Sequence, residues 1–183
     1  MPEEISTERL RLATLGENDR EAMIALLTDP GVTKTYMVPD LDTEEKKSSV
    51  FERLRALSLD EKRFFRGIYL GEKLIGAIHE VNVEKGRVEL GYFIDPAEQG
   101  RGYCSEALAA VIPYLFGRGY SAVTAAAFSE NPASFRVMEK CGMKKTRLTE
   151  TVIYRGESHE CTYYSISKRA RASKPKPGEG ERK

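Results

Sequence analysis

The sequence predicts an α/β fold with one mixed, mostly antiparallel sheet of about seven strands, flanked by about four helices. Three strand-like segments at 64–70, 74–83 and 87–94 are joined by short turns, which is typical of an antiparallel meander. A helical segment then leads to an apolar strand at 122–128, of the kind found in parallel pairs. A meander followed by helix, strand, helix and hairpin favours a single sheet with one parallel crossover.

The first sixty residues predict one strand and two helices. Apolar and other residues alternate from 10 to 15, which indicates the first strand. Helices are expected at about 19–28, ended by Asp29-Pro30-Gly31, and at about 43–58. Each helix begins at a side chain that can accept a hydrogen bond from the first turn. These capping candidates are Asn18, Asp19, Asp42 and Thr43.

Two further helices and a long hairpin complete the predicted fold. The segment 105–118 has one apolar face, and Pro113 in its middle should kink or shorten the helix, at a cost of about 3 kcal/mol unless packing absorbs it. Asn131 followed by proline predicts the start of a short helix. Two long strands, at 144–154 and 159–168, then form the closing hairpin.

Length and composition indicate one ordinary globular domain. The chain has 183 residues, and we expect the domain to occupy 1–168. A net charge of +1 argues against bulk binding to nucleic acid or to a membrane. No apolar run approaches the ~18 residues of a membrane span, and the N-terminus lacks a signal core. The segment 169–183 is basic and almost devoid of apolar residues, so a disordered tail is expected.

The cysteines and histidines do not predict a metal site. Cys104, Cys141 and Cys161 form no C-x-x-C pair, and His79 and His159 lie far from them in sequence. Reduced thiols in a cytoplasmic protein are the simplest account, with both histidines structural or exposed. A nucleophilic Cys104 is disfavoured because no partner base is nearby in sequence.

The turn between the strand 87–94 and the helix 105–118 is a candidate phosphate site. Gly100 and Gly102 allow the backbone to approach a ligand closely. The first turn of the following helix offers N–H groups without an intrahelical acceptor, together with the positive end of the helix dipole. A tight strand–helix connection without a ligand explains the same segment equally well when it is taken alone.

Two motifs carry a resemblance to a known family. The run Gln-Gly-Arg-Gly-Tyr-Cys at 99–104 resembles the Gln/Arg-x-x-Gly-x-Gly/Ala motif of the GCN5-related N-acetyltransferases, with Cys104 where Gly or Ala is usual. The run Asn-Pro-Ala-Ser-Phe-Arg-Val-Met-Glu-Lys-Cys-Gly-Met at 131–143 is similar to a segment of the branch that acetylates ribosomal-protein N-termini, the RimJ/RimL-like branch. The likeness extends over about residues 5–168.

The resemblance implies a GNAT-type fold and binding of acetyl-coenzyme A as co-substrate. In the family, backbone amides of the glycine turn bind the pyrophosphate, and a bulge in the preceding strand turns an amide at 92–94 toward the thioester carbonyl. Asn131 is implied to bond the pantetheine arm as well as capping its helix, and Arg101 and Arg136 to reach phosphates, although either arginine can equally be a surface residue. The implied cofactor residues are Phe93, Ile94, Gln99, Gly100, Arg101, Gly102, Tyr103, Cys104, Ser105, Asn131 and Arg136.

Glu89 is the candidate general base. Alternation along 87–94 puts Glu89 on one face with Gly91 and Phe93, and the glycine leaves a gap where a substrate could approach. The resemblance places a glutamate of this strand near the acceptor amine, acting through water. A solvent-facing carboxylate on a half-exposed strand is the alternative interpretation.

Ser134 is the candidate acid, or a hydrogen-bond partner of the thiol sulfur. Many relatives use a tyrosine in this helix, but Met138 stands at the corresponding place, and the branch resembled uses serine. A serine that only caps its helix is the alternative, and Tyr92 or Tyr103 can substitute as the acid.

The resemblance implies a cytoplasmic N-acetyltransferase that works by direct transfer in a ternary complex. The acceptor that the resemblance implies is the α-amine of a ribosomal protein. A reference pKa of ~7.7–8.0 leaves such an amine partly neutral, so a weak or water-relayed base is enough, whereas lysine titrates near ~10.4. A polyamine, amino acid or aminoglycoside acceptor stays open, as does a non-catalytic acyl-coenzyme A sensor. The acceptor walls are expected from 36–57 and 154–163. A monomer and a homodimer are both compatible with the sequence.

Overall fold

The computed structural model describes residues 2–169. Their strands form one eight-stranded sheet in the order β1-β2-β3-β4-β5-β6-β8-β7, in which every neighbouring pair is antiparallel except β5 and β6. The predicted α/β class and its single parallel pair are therefore confirmed. Apart from Arg169, the expected tail lies outside the described residues.

The strand and helix bounds follow the sequence predictions closely. The strands are β1 (Ile5–Ser6), β2 (Leu10–Ala13), β3 (Phe65–Leu70), β4 (Lys73–Glu84), β5 (Arg87–Ile94), β6 (Ala122–Phe128), β7 (Lys144–Tyr154) and β8 (Glu157–Ser167). The helices are α1 (Arg20–Thr28), α2 (Pro30–Thr33), α3 (Glu44–Leu59), α4 (Tyr103–Gly117) and α5 (Pro132–Lys140). None of the helices within residues 2–169 is both long and apolar enough to cross a bilayer.

Three local predictions need correction. The two-residue β1 was not expected, because so short a strand has no periodicity to detect. Asp29-Pro30-Gly31 does not only end α1: Asp29 accepts a hydrogen bond from Gly31 N (2.7 Å) and starts α2, where proline is compatible with the first position. Pro113 does not shorten α4, whose flanking Val111 and Ile112 are buried in the core.

The sheet has a core on each face. One core lies between the sheet and the helices α4 and α5, and the other packs against α1 and α3. β5 contributes to both: Val88, Leu90 and Ile94 point into the first core, and Phe93 points into the second. The predicted alternation along this strand is confirmed, and Glu89 shares the face of Phe93.

β5 and β6 separate part-way along their length. They pair only from Arg87↔Ala122 to Leu90↔Ala125, after which β5 stays with β4 and β6 stays with β8. The edge of β5 beyond Leu90 therefore faces a cleft. The bulge expected at 92–94 is absent, since the register irregularity lies on β4 between Glu80 and Asn82. Separation of the strands, rather than a bulge, exposes the backbone at 92–94.

Candidate functional site

A cavity of about 930 Å³ occupies the cleft between β5 and β6. All of the site residues predicted from the sequence line this cavity, with the exception of Arg101. The predicted turn, the α5 segment and Glu89 thus meet in one place, although they are up to 47 positions apart in the chain, from Glu89 to Arg136.

The glycine turn at 100–105 forms part of the cavity wall. Gly100 and Gly102 adopt φ values of +76° and +84°, which glycine tolerates far better than other residues. The Glu106 N–H donates to the Gly102 carbonyl at 3.0 Å, the first bond of α4. The N–H groups of Tyr103, Cys104 and Ser105 therefore have no acceptor within the helix. This turn fits a phosphate group.

The basic side chains that line the cavity come from α5 rather than from the turn. Arg136 and Lys140 both line the cavity, and Lys140 was not predicted from the sequence. Their positive charge is suited to the phosphates of a coenzyme. The Arg101 guanidinium instead pairs with Glu98 at 3.0 Å. Glu98 lines the cavity but Arg101 does not, so the contact of Arg101 with a phosphate stays a prediction.

Asn131 and Cys104 also line the cavity. Asn131 Oδ1 accepts from the Ser134 N–H at 3.2 Å and caps α5, which leaves its NH₂ group available as a donor. Burial raises the pKa of the Cys104 thiol to about 12, so the thiol stays protonated at neutral pH. A protonated thiol agrees with the rejection of a nucleophilic cysteine.

Tyr92 and Ser134 form a hydroxyl pair across the cleft. Their oxygens are 2.8 Å apart, and Ser134 is buried in the first turn of α5. Burial raises the pKa of Tyr92, so its phenol keeps its proton throughout the physiological range. Met138 is fully buried in the core. Tyr92, which the sequence offers as a substitute acid, thus lies beside Ser134.

Glu89 also lines the cavity, near a second carboxylate. Burial raises the pKa of Glu89, and the charge of Glu150 on β7 raises it further. The Tyr163 hydroxyl donates to Glu150 at 2.5 Å. Glu150 and Tyr163 both line the cavity. Tyr163 falls within the expected hairpin wall, whereas Glu150 was missed, because only the pairing of β7 with β8, and of β8 with β6, brings it near Glu89.

The gap expected at Gly91 is filled by protein side chains. A Cβ built on Gly91 would lie 3.0 Å from Val81 Cγ2 and 3.1 Å from His79 Nε2. The glycine thus makes room for these two residues of β4 rather than for substrate. Val81 and His79, which Gly91 admits, form part of the cavity wall near Glu89.

His79 and Tyr36 form that wall. His79 Nδ1 is 2.9 Å from the Glu80 carbonyl, which can only accept, so Nδ1 carries the proton and Nε2 accepts from the Tyr36 hydroxyl. Burial lowers the pKa of His79, which keeps the ring neutral. Tyr36 also packs on Phe93, with ring centroids 4.7 Å apart.

The acceptor walls agree only partly with the sequence prediction. Tyr36 and Met37 line the cavity as expected, but no residue of α3 does. Residues of the β7–β8 hairpin line it at positions 150, 152, 161 and 163. The Tyr154 hydroxyl joins the two walls, because it donates to the Tyr36 carbonyl (3.3 Å) and accepts from the Val38 N–H (3.4 Å).

Comparison with known proteins decides the family. The family model of the Acetyltransferase (GNAT) domain matches residues 9–144. This chain belongs to the GNAT acetyltransferase family. It is an acyltransferase, and its co-substrate is acetyl-coenzyme A.

Individual GNAT relatives cover nearly the whole chain. The uncharacterized N-acetyltransferase YoaA of Bacillus subtilis (strain 168) is 30% identical over 170 residues, which span 90% of this chain and 96% of the relative. A crystal structure of a GNAT-family acetyltransferase from Bacillus anthracis superposes with a TM-score of 0.77 at 26% identity, covering 91% and 99% of the two chains. RimL, described as a ribosomal L7/L12 alpha-N-protein acetyltransferase, shares the fold with a TM-score of 0.78 at 18% identity, covering 91% and 95%.

Proposed function

We propose that this GNAT enzyme transfers the acetyl group of acetyl-coenzyme A to the N-terminal α-amine of a protein, as the RimJ/RimL-like branch does. One observation carries the proposal: the glycine turn, Glu89 and the Tyr92–Ser134 pair all line a single cavity. These are the groups that amine acetylation needs.

The proposed reaction is a direct transfer in a ternary complex. Glu89 takes a proton from the ammonium group, through water, and the neutral amine attacks the thioester carbon. The N–C bond forms, and the carbonyl oxygen becomes an oxyanion that backbone N–H groups at 92–94 stabilise. The C–S bond then breaks, and the thiolate takes a proton from the Tyr92–Ser134 pair, which regains one from the acetylated nitrogen through solvent.

The likeness to RimL supports a protein acceptor, since that relative is described as an alpha-N-protein acetyltransferase of ribosomal L7/L12. An α-amine also suits a base of this kind, because its reference pKa of ~7.7–8.0 requires little driving force for deprotonation. With such an acceptor we propose a cytoplasmic location.

A polycationic small amine is the second candidate acceptor. We take the part of the cavity beside Glu89 and Glu150 as the acceptor end and the part beside Arg136 and Lys140 of α5 as the cofactor end. Glu98 also lines the cavity but is paired with Lys73 and Arg101. Two carboxylates attract a second ammonium group and repel the free carboxylate of an amino acid. The charge of this end therefore disfavours amino acids as acceptors and favours a polyamine.

Release of free thiol from acetyl-coenzyme A, measured with a panel of amines, tests the proposal. We expect turnover with peptides that have a free N-terminus and none with the same peptides blocked at the N-terminus. Preferential turnover of spermidine would favour the second candidate. Cofactor binding without turnover of any amine would contradict both and leave the acyl-coenzyme A sensor.

Glu150→Gln should move the acid limb of the pH profile of kcat/KM to lower pH. The charge of Glu150 helps to raise the pKa of Glu89, so its removal lowers that pKa, and the ionised base persists in more acidic solution. A preference for diamines over monoamines should weaken in the same variant. Glu157→Gln removes an equal charge from the exposed hairpin and should change neither property. An unmoved acid limb would contradict the coupling.

Ser134→Ala should lower kcat. The loss should correspond to about 1–3 kcal/mol of transition-state stabilisation, the scale of one hydrogen bond to a charged group. The melting temperature should stay unchanged, because Asn131 rather than Ser134 caps α5. Tyr92→Phe should cost a similar amount, and the double variant less than the sum, since the two hydroxyls act as one donor. Strictly additive losses, or a fall in stability without a fall in kcat, would show that the pair is structural.

A further inference from the structure

Arg9 lies just before β2 and is held against the first turn of α4. Its Nε donates to Glu106 Oε2 at 2.7 Å, its Nη2 is 2.6 Å from the same oxygen, and its backbone N–H donates to Glu106 Oε1 at 2.9 Å. The Thr7 hydroxyl also donates to Oε1, at 2.6 Å. Two guanidinium nitrogens thus share one carboxylate oxygen, while the main chain of Arg9 and the Thr7 hydroxyl hold the other, and these contacts restrict the orientation of the guanidinium.

The other side of this guanidinium touches the glycine turn. Arg9 Nη1 donates to the carbonyl oxygen of Arg101 at 3.1 Å, and the guanidinium carbon lies 4.5 Å from the centre of the Tyr103 ring. Arg9 does not line the cavity, and it contacts the turn from outside. Its charge is balanced by Glu106, so direct attraction of a phosphate is not its main effect.

Fixing the Arg101 carbonyl also fixes the next amide. In a planar trans peptide, the C=O of one residue and the N–H of the next point in opposite directions. The Arg101 carbonyl points outward to Arg9, so the Gly102 N–H points away from Arg9. Gly102 lines the cavity, which makes this N–H available to a ligand there. Glycine at this position has enough backbone freedom for the peptide to rotate if nothing holds it.

We propose that Arg9 is a positioning residue for the coenzyme: it holds the Arg101–Gly102 peptide so that the Gly102 N–H faces the pyrophosphate. This inference rests on the proposed assignment of the turn as the phosphate site. It predicts that Arg9 matters only for acyl donors that carry a pyrophosphate. A residue that merely fastens the N-terminal segment to α4 would affect all donors alike.

The experiment compares acetyl-coenzyme A with acetyl-pantetheine, a thioester without the pyrophosphate. Arg9→Gln should raise KM for acetyl-coenzyme A about tenfold, the scale of one charge-assisted hydrogen bond, and leave kcat/KM for acetyl-pantetheine unchanged. Arg9→Lys should show nearly the same loss, because an ammonium group cannot bridge Glu106 and Arg101 as a planar fork does. Arg11→Gln is the matched control: it removes the same charge from the same segment, but Arg11 packs on Tyr69, away from the turn.

The outcomes separate the possible explanations. An equal loss with both donors would overturn the proposal, and so would an Arg9→Lys variant that behaves as wild type. If Arg9→Gln unfolds, Glu106→Gln keeps the guanidinium but loosens it, and must show the same donor-selective rise in KM. A wild-type enzyme that uses both donors equally well would instead refute the assignment of the turn itself.

Discussion

Gly102→Val should abolish detectable binding of acetyl-coenzyme A. Gly102 has a φ of +84° at the start of α4, where a β-branched residue is strained, and a Cβ there would lie 3.5 Å from Arg9 Nη2, so the side chain would press on the guanidinium that contacts the turn. Rotation of the peptide to relieve that strain would also turn the Gly102 N–H out of the cavity. Calorimetric titration with acetyl-coenzyme A measures the effect directly.

Strain alone must be separated from loss of the site. Gly156 has a nearly equal φ of +81° in the β7–β8 turn and does not line the cavity, so Gly156→Val is the matched control. It should lower the melting temperature as Gly102→Val does while binding the coenzyme normally. If the Gly102 variant retains wild-type affinity, the turn at 100–105 is not where the phosphates bind.

Glu89→Gln should lower kcat/KM about 10²-fold or more, within the range for removal of a general base. The amide keeps the size of the side chain and one acceptor oxygen but cannot take up the proton. The deficit should shrink as pH rises, because a larger fraction of the amine is then already neutral. Wild-type activity should fall as pH drops through the raised pKa of Glu89, and this acid limb should disappear in the variant.

Two control measurements test the role of Glu89 as the general base. Glu84→Gln removes a carboxylate from the neighbouring strand β4 outside the cavity, and its pH profile should match that of the wild type. The affinity of Glu89→Gln for acetyl-coenzyme A should also be unchanged, since Glu89 lies at the acceptor end. A deficit that is constant across the pH range would mean that Glu89 binds the acceptor without removing its proton.

Local patterns predicted most of the fold. The alternation in β5, the turns that bound β4 and the Asn-Pro start of α5 are each determined by a few neighbouring residues. β1 and α2 were missed because they are too short to have a periodic pattern. The single parallel pair followed from the apolar run of β6.

The candidate site was predictable only where a motif is continuous in sequence. The glycine turn and the start of α5 could be identified, whereas the contacts that assemble the site join distant residues. Tyr92 meets Ser134 over 42 positions, Tyr36 meets His79 over 43, and Arg9 meets Glu106 over 97. Such pairs depend on strand register and on where each helix is packed, which no local pattern records.

The two bonds made by the Tyr154 hydroxyl end on main-chain atoms of residues 36 and 38. Every residue type except proline provides the same carbonyl and N–H groups. These two bonds therefore do not depend on which side chains most positions of the segment 36–38 carry. Mutations can therefore accumulate in that segment, and alter which acceptors are admitted, without detaching it from the hairpin. Randomising Met37 and its neighbours while Tyr154 is kept should therefore change which acceptors bind and leave this acceptor wall attached to the hairpin.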